Sequence, residues 1–348
     1  MNLYLTKSGR LRRHDNTLRF EKTALPPEET PPEQEEEALD EKPAEAVHIF
    51  PVESVDAVYV FGEITLNSKL INFLNSRKIP IHFFNWFGHH TGTLFPHAEQ
   101  LSGDLVIRQG EAYRNPEERL AICRALLEAT FHNIRSIVLY YQRRKGGLEE
   151  AAETIRRFSG ELSNRTAPEE LMGQEGNVRR IYYQAWPVWL GNPAAPFKRV
   201  YHPADNPLNA LLSFLNSLLY TACVSELYRT ALYPGISYLH TPQTRRYSLA
   251  LDLVEPFKPL LVDRLLFRLW GCRMVGDKDF RKYSNGFLLT DGARQKILQE
   301  WDQGLRQTVH CPALNRSVSY RQLLRLDCYK LVNYLLEGRE YKPYRIEY

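Results

Sequence analysis

Asp252 and Glu255 interrupt an apolar run, "SLALDLVEP" at residues 248–256. A carboxylate is costly to bury among Leu and Val unless it is paired, hydrogen-bonded or bound to a cation. On a helix the three-residue offset puts both acids on one face, where two like charges favour a shared proton or a bound cation. Pro256 and Pro259 withhold the N–H groups that would bond the carbonyls of Asp252 and Glu255. The backbone therefore kinks here, or a new helix starts at Pro256. The same spacing also suits a plainer pair, one acid at a helix N-terminus and one on a helix surface.

A third acid, Glu175, lies in "LMGQEGNVRRIYYQAW", residues 171–186. Gly173 and Gly176 flank it and let another chain approach closely. Arg179 follows one turn later, where it also suits an ordinary i,i+4 ion pair with Glu175. His240 ends an apolar stretch just before a polar turn, a common place for a structural histidine. Combined, one imidazole and two or three acids make an N/O set suited to Mg²⁺ or Mn²⁺. Such an ion polarises a phosphoryl oxygen and stabilises charge during in-line displacement. No spacing rule brings Glu175 to His240; the fold must do so. Arg179, Arg180, Arg245, Arg246 and Lys258 lie beside these residues and are candidate phosphate contacts, although each also suits a solvated face or an acid partner. His89-His90 read as a surface turn, and His310-Cys311 lack a second pair for zinc.

Two kinds of element must position these groups. Residues 1–100 read as short strands ("LYLT", "TLRF", "HIFPV", "AVYVF", "IPIHFF", "TGTLF") around one helix near Asn67 to Lys78, a small sandwich or curled antiparallel sheet. Residues 101–348 read as helices. Asn115-Pro116-Glu117-Glu118 starts one that runs to Arg143-Arg144-Lys145 and stops at Gly146-Gly147. Asn206-Pro207 starts another, with Leu208, Leu211, Leu212, Leu215, Leu218, Leu219 and Ala222 at core spacing up to Pro234-Gly235. Further helices are expected near 148–160, 166–190, 247–273, 291–305 and 318–337. The fold class is α+β: a β-rich N-terminal domain, sandwich-like, then a larger helical domain carrying the candidate catalytic residues Glu175, His240, Asp252 and Glu255.

The 348-residue chain is 43% hydrophobic and 25% charged, ordinary for a globular protein. Its net charge of +4 conceals a partition. Residues 21–46 hold ten acids, two lysines and five prolines, a net of −8, which leaves +12 on the remainder. That segment cannot build a core and reads as a disordered acidic loop joining the strand at Phe20 to the one near His48. The basic remainder suits a nucleic-acid partner. The five cysteines show no CxxC spacing, which favours a reducing cytoplasm over a disulfide framework or a zinc cage. The opening "MNLYLTKSGRLRR" has no apolar leader core, and no stretch is expected to span a membrane.

Taken together and in order, several motifs resemble one family. They are "SGRLRRHDNTLRFE", "VYVFGEITLNSKLINFLNSRKIPIHFFN" with "HTGTLFP", "GQEGNVRRIYY", "NPLNALLSFLNSLLY" and "LHTPQTRRYSLALDLVEPFKP". The family is the CRISPR-associated integrase of the adaptation step, the Cas-one family, and the likeness runs nearly end to end. It implies a homodimer with a β-rich N-terminal domain and a helical C-terminal domain, and two such dimers flanking a dimer of a small companion, the Cas-two protein. It implies Glu175, His240 and Glu255 as ligands of a divalent metal, with Asp252 contributing to that site or orienting it. The implied reaction is metal-dependent attack of a DNA 3′-hydroxyl on a repeat-boundary phosphodiester, which inserts a short spacer into a CRISPR array for antiviral defence. Nuclease activity on branched DNA is another face of that chemistry. Glu255 stands where many members carry Asp, one methylene shorter, and segment 21–46 is longer than the family's hairpin. The rival expectation is a non-catalytic DNA-binding scaffold in which these acids serve structure alone. A metal phosphodiesterase that cleaves structured nucleic acid without joining it is a further alternative.

Overall fold

The computed structural model describes residues 1–23, 46–97, 101–190, 197–201, 203–244, 246–284, 286–311 and 314–347. It divides into two compact units, Met1–Glu99 and Gln100–Tyr348.

The first unit contains β1 (Asn2–Leu5), β2 (Gly9–His14), β3 (Thr17–Lys22), β4 (Ala46–Pro51), β5 (Ala57–Val60), β6 (Ile64–Thr65), α1 (Ser68–Ser76), β7 (Ile81–Phe84) and β8 (His90–Leu94). They form two four-stranded sheets, ordered β1-β5-β7-β8 and β4-β3-β2-β6. Leu3, Leu5, Val58, Val60 and Ile81 from one sheet share a core with Leu11, Leu18 and Phe20 from the other, and Leu70, Phe73 and Leu74 of α1 join them. Asn67 caps α1 by accepting the Leu70 N–H at 2.9 Å.

Two sheets sharing one core make the expected sandwich, whereas the alternative of a curled antiparallel sheet does not hold. Strands β1, β5 and β7 pair in parallel. The reason is connectivity: the second sheet intervenes between β1 and β5, and α1 precedes β7, so each link is a crossover rather than a hairpin. The β2–β3 turn places Asp15 at φ 50°, a conformation Asp tolerates well. Phe20 and His48 are direct partners in the antiparallel β3–β4 ladder, which runs out to Lys22 and Ala46, so residues 23–45 connect the two strands of a hairpin. Most of that acidic segment, 24–45, lies outside the described residues.

The second unit contains α2 (Gly103–Arg114), α3 (Pro116–Lys145), α4 (Glu149–Gly160), α5 (Pro168–Leu190), α6 (Pro207–Tyr228), α7 (Ser248–Val254), α8 (Arg264–Gly271), α9 (Asp291–Arg306) and α10 (Tyr320–Glu337). Asn115 Oδ1 accepts from the Glu117 and Glu118 N–H groups at 3.1 and 3.3 Å, and α3 stops at Gly146 with φ 74°. Two short hairpins, Phe280–Tyr283 with Gly286–Leu289 and Thr308–Cys311 with Arg316–Ser319, interrupt the helical pattern. Neither was expected; each is too short for a pattern of period two to stand out. His310-Cys311 thus ends a strand.

The expected helix over 247–273 is broken. After α7 come a 3₁₀ turn, Glu255–Phe257, and a π-helical stretch, Lys258–Asp263, before α8. Pro256 and Pro259 supply the cause, since neither donates to the ladder. By length and composition α6 could cross a membrane, with a window of mean hydropathy 1.4. Since 78% of that window is buried inside the protein, α6 is the core helix of this unit.

Candidate metal centre

Two carboxylates from distant elements meet on one guanidinium. Arg179 on α5 contacts Glu175, one turn earlier, through Nε at 2.9 Å, and Glu255 through Nη2 at 2.7 Å. Its Nη1 lies 4.0 Å from Asp263 Oδ2. Lys258 pairs with the other oxygen of Glu255. The i,i+4 ion pair is thus real, but it is part of a larger cluster. Glu255 is 3% exposed, and burial alone would keep it protonated; Lys258, Arg179 and His240 outweigh that and hold its pKa at about 2.

His240 and Asp252 form the other half. Asp252 is fully buried and accepts from the backbone N–H groups of Tyr238 (2.6 Å), Leu239 (3.0 Å) and His240 (2.9 Å). Its Oδ1 also lies 2.7 Å from His240 Nδ1. A carboxylate can only accept, so Nδ1 carries a proton, and in the neutral ring Nε2 is the lone-pair nitrogen. Burial works against charge on His240, but the bond to Asp252 and the charges of Asp252 and Glu255 raise its pKa. Asp252 therefore orients, and Glu255 is the acid that faces the cluster. The two acids meet different partners, Asp252 the histidine loop and Glu255 the Arg179–Lys258 pair, and the charges of both reach His240.

Several residues that support this arrangement carried no sequence signal. Gln109 on α2 donates to the Tyr233 carbonyl and accepts from its N–H, and Arg119 on α3 donates to the Tyr238 carbonyl at 2.8 Å. Both pin the loop that carries His240. Asn133 on α3 donates to the Pro256 carbonyl at 2.7 Å, beside Glu255. Asp263 is buried, its Oδ2 has no hydrogen-bond partner within bonding distance among the described residues, and burial raises its pKa to about 6. These are polar residues within apolar helices, where sequence alone cannot tell a lattice of internal bonds from a solvated side.

The candidate phosphate contacts fare unequally. Arg179 is buried and committed to Glu175 and Glu255, so it is removed from the set expected to meet phosphates. Arg180 is exposed and bonded to Asn177 Oδ1. Arg246 is half-buried and donates to the Thr241 carbonyl. Lys258 is a quarter exposed and paired with Glu255, and Arg245 lies outside the described residues. A Cβ built on Gly173 or Gly176 would meet no described atom within 4 Å, so no described part of this chain uses the approach they allow. His90 opens β8 rather than a surface turn, and burial lowers its pKa to about 4.

Among the described residues, no three His, Cys, Asp or Glu side chains stand together as a ready-made metal cage. The chemistry of the donors nonetheless suits a divalent ion. Glu175, Glu255 and Asp263 surround Arg179, and the neutral ring of His240 offers Nε2. Binding there requires Glu175 and Glu255 to exchange contacts with Arg179 and Lys258 for the ion.

The comparisons agree on the kind of chain that carries this site. A family model described as CRISPR associated protein Cas1 matches residues 3–303. The CRISPR-associated endonuclease Cas1 of Fusobacterium nucleatum is 38% identical over 345 residues, covering 99% of this chain and 96% of that protein. A solved CAS1 protein from Thermotoga maritima superposes with a TM-score of 0.82 at 34% identity, covering 98% of this chain and 99% of that one. A casposase bound to its integration product shares the fold, with a TM-score of 0.81 at 20% identity and coverage of 100% and 96%. The two-part architecture, a β-rich unit and then a helical one, is that of the solved relative. The chain belongs to the Cas1 family of CRISPR-associated proteins.

Proposed function

We propose that this chain is a metal-dependent DNA integrase and endonuclease, joining a DNA 3′-hydroxyl to a phosphodiester at a CRISPR repeat boundary. In that step one P–O bond forms and another breaks, and the released strand takes up a proton. The observation that carries the reading is the meeting of Glu175 and Glu255 on Arg179, with Asp252 fixing the ring of His240 nearby. Family membership and the fold shared with a casposase support it.

Glu175, Glu255 and His240 Nε2 would hold Mg²⁺ or Mn²⁺, which when bound polarises the phosphoryl oxygens and lowers the charge barrier to attack. Lys258 and Arg179 keep Glu255 ionised, the form needed for ligation. Asp252 fixes the imidazole so that Nε2 is the ligating atom. Arg180, Arg246 and Arg245 are proposed phosphate contacts for the spacer precursor and the repeat. The family also implies a homodimer, the Cas-two companion protein and a cytoplasmic setting.

The test is strand transfer of a short duplex into a repeat-bearing plasmid with Mn²⁺. Glu175→Ala, His240→Ala and Glu255→Ala are each expected to lower the rate by at least ~100-fold while DNA binding persists. Full activity in all three variants overturns the reading. It would favour a scaffold in which Arg179 makes the cluster purely structural. Cleavage of branched DNA without any joined product would instead favour a metal phosphodiesterase.

A further inference from the structure

The last residues of the chain reach the backbone of the candidate site. After α10 ends at Gly338, with φ 65°, the chain returns along α3 without helical structure. Every backbone polar group of Tyr344 and Ile346 is taken by a side chain from α3 or α10. The Tyr344 N–H donates to Asp327 Oδ2 at 3.0 Å, and its carbonyl accepts from Asn133 Nδ2 at 3.0 Å. The Ile346 N–H donates to Asn133 Oδ1 at 2.8 Å, and its carbonyl lies 3.0 Å from His132 Nε2. Arg345 pairs with Glu128 at 2.9 Å.

Asn133 is fully buried and uses its whole amide. One amide nitrogen donates both to Tyr344 and to the carbonyl of Pro256, at 2.7 Å. The ring of Tyr344 stacks on Phe257 at 5.4 Å, with 12° between the planes. Thus the terminal segment touches Phe257 directly, through the ring of Tyr344, and reaches Pro256 through Asn133, which bonds both backbones. These lie where the prolines have removed the ladder bonds that would otherwise fix the turn.

We propose that residues 344–346 form a strap whose docking positions Glu255, with Asn133 as the positioning residue that joins strap and turn. The idea rests on the functional reading of Glu255 above. Without the strap, Asn133 keeps only one of its three bonds and Phe257 loses its stacking partner. The carboxylate then loses its fixed bearing, although every candidate ligand remains in the chain.

The experiment compares full-length protein with a chain ending at Lys342, with Asn133→Asp, and with Glu255→Ala. Asn133→Asp keeps the acceptor for Ile346 and removes the donor to Pro256 and Tyr344. Strand-transfer rate, DNA affinity and amide hydrogen exchange over residues 253–258 are measured for each. The truncated chain and Asn133→Asp are expected to lose about 10–100-fold in rate with DNA affinity unchanged. Exchange at 253–258 quickens, and a synthetic peptide of residues 340–348 restores both properties to the truncated chain. Wild-type rate and exchange in the truncated chain overturn the strap. So does faster exchange throughout the helical unit that the peptide fails to reverse, since that marks a general structural role. If Glu255→Ala keeps full activity, the functional reading fails, while the exchange data still decide whether the strap holds the turn.

Discussion

Glu226 and Glu255 are both carboxylates buried among cations, yet their surroundings differ. Glu226, on α6, is fully buried and accepts from Arg321 Nε and Arg325 Nε on α10, each at 2.6 Å. Regular helices supply all of these groups, and the result is a clamp between two helices. Glu255 lies on irregular backbone just ahead of Pro256 and Pro259, with a second carboxylate and an oriented imidazole close by and partly exposed (18% and 21%). A buried charge with good partners is therefore no mark of a site by itself. What sets the Glu255 cluster apart is a further carboxylate and an oriented imidazole that stay partly open to solvent.

That contrast can be broken most sharply by paired substitutions. Glu255→Gln should abolish strand transfer, a fall of at least ~100-fold, and leave the fold intact. Glu226→Ala removes the carboxylate that Arg321 and Arg325 share and should cost about 3 kcal/mol in urea unfolding while the folded fraction keeps its activity. If Glu226→Ala lost activity without losing stability, the distinction between clamp and site would collapse.

A smaller effect sharpens the division within the site. Asp252→Asn retains shape but offers His240 a neutral partner, so transfer should slow by about 10–100-fold with DNA affinity unchanged. A loss equal to that of His240→Ala would show that Asp252 does more than orient the ring.

The smallest effect concerns the glycines beside Glu175. Gly176→Ala meets open space on an α-helix, so stability should rise by about 1 kcal/mol on chemical unfolding. If strand transfer falls at the same time, an incoming duplex uses the gap that no described residue of the chain fills.

The helix boundaries set by Asn115-Pro116, Asn206-Pro207 and Gly146 were readable because capping and proline chemistry act within a few residues. The break at Pro256 was readable for the same reason. The parallel pairing of β1, β5 and β7 was hidden, since it depends on crossovers whose packing no local pattern encodes. Candidate ligands could be named from residue type and family likeness. Orientation by Asp252 and the Glu175–Arg179 pair stood among the expectations. The bonds of Asp252 to the 238–240 backbone and of Arg179 to Glu255 did not, because they depend on which distant group each side chain meets. Asn133, Gln109 and Arg119 stayed invisible for that reason too.

One long helix ties the two halves of the site together. Arg119 fastens the histidine loop near the start of α3, and Asn133 fastens the glutamate turn farther along the same rod. At 1.5 Å per residue those anchors lie roughly 21 Å apart along its axis, a span that backbone hydrogen bonding keeps nearly inextensible. Adding or deleting a single residue between them would rotate one anchor by about 100° relative to the other. Lengthening that gauge should spoil the centre without touching any atom inside it.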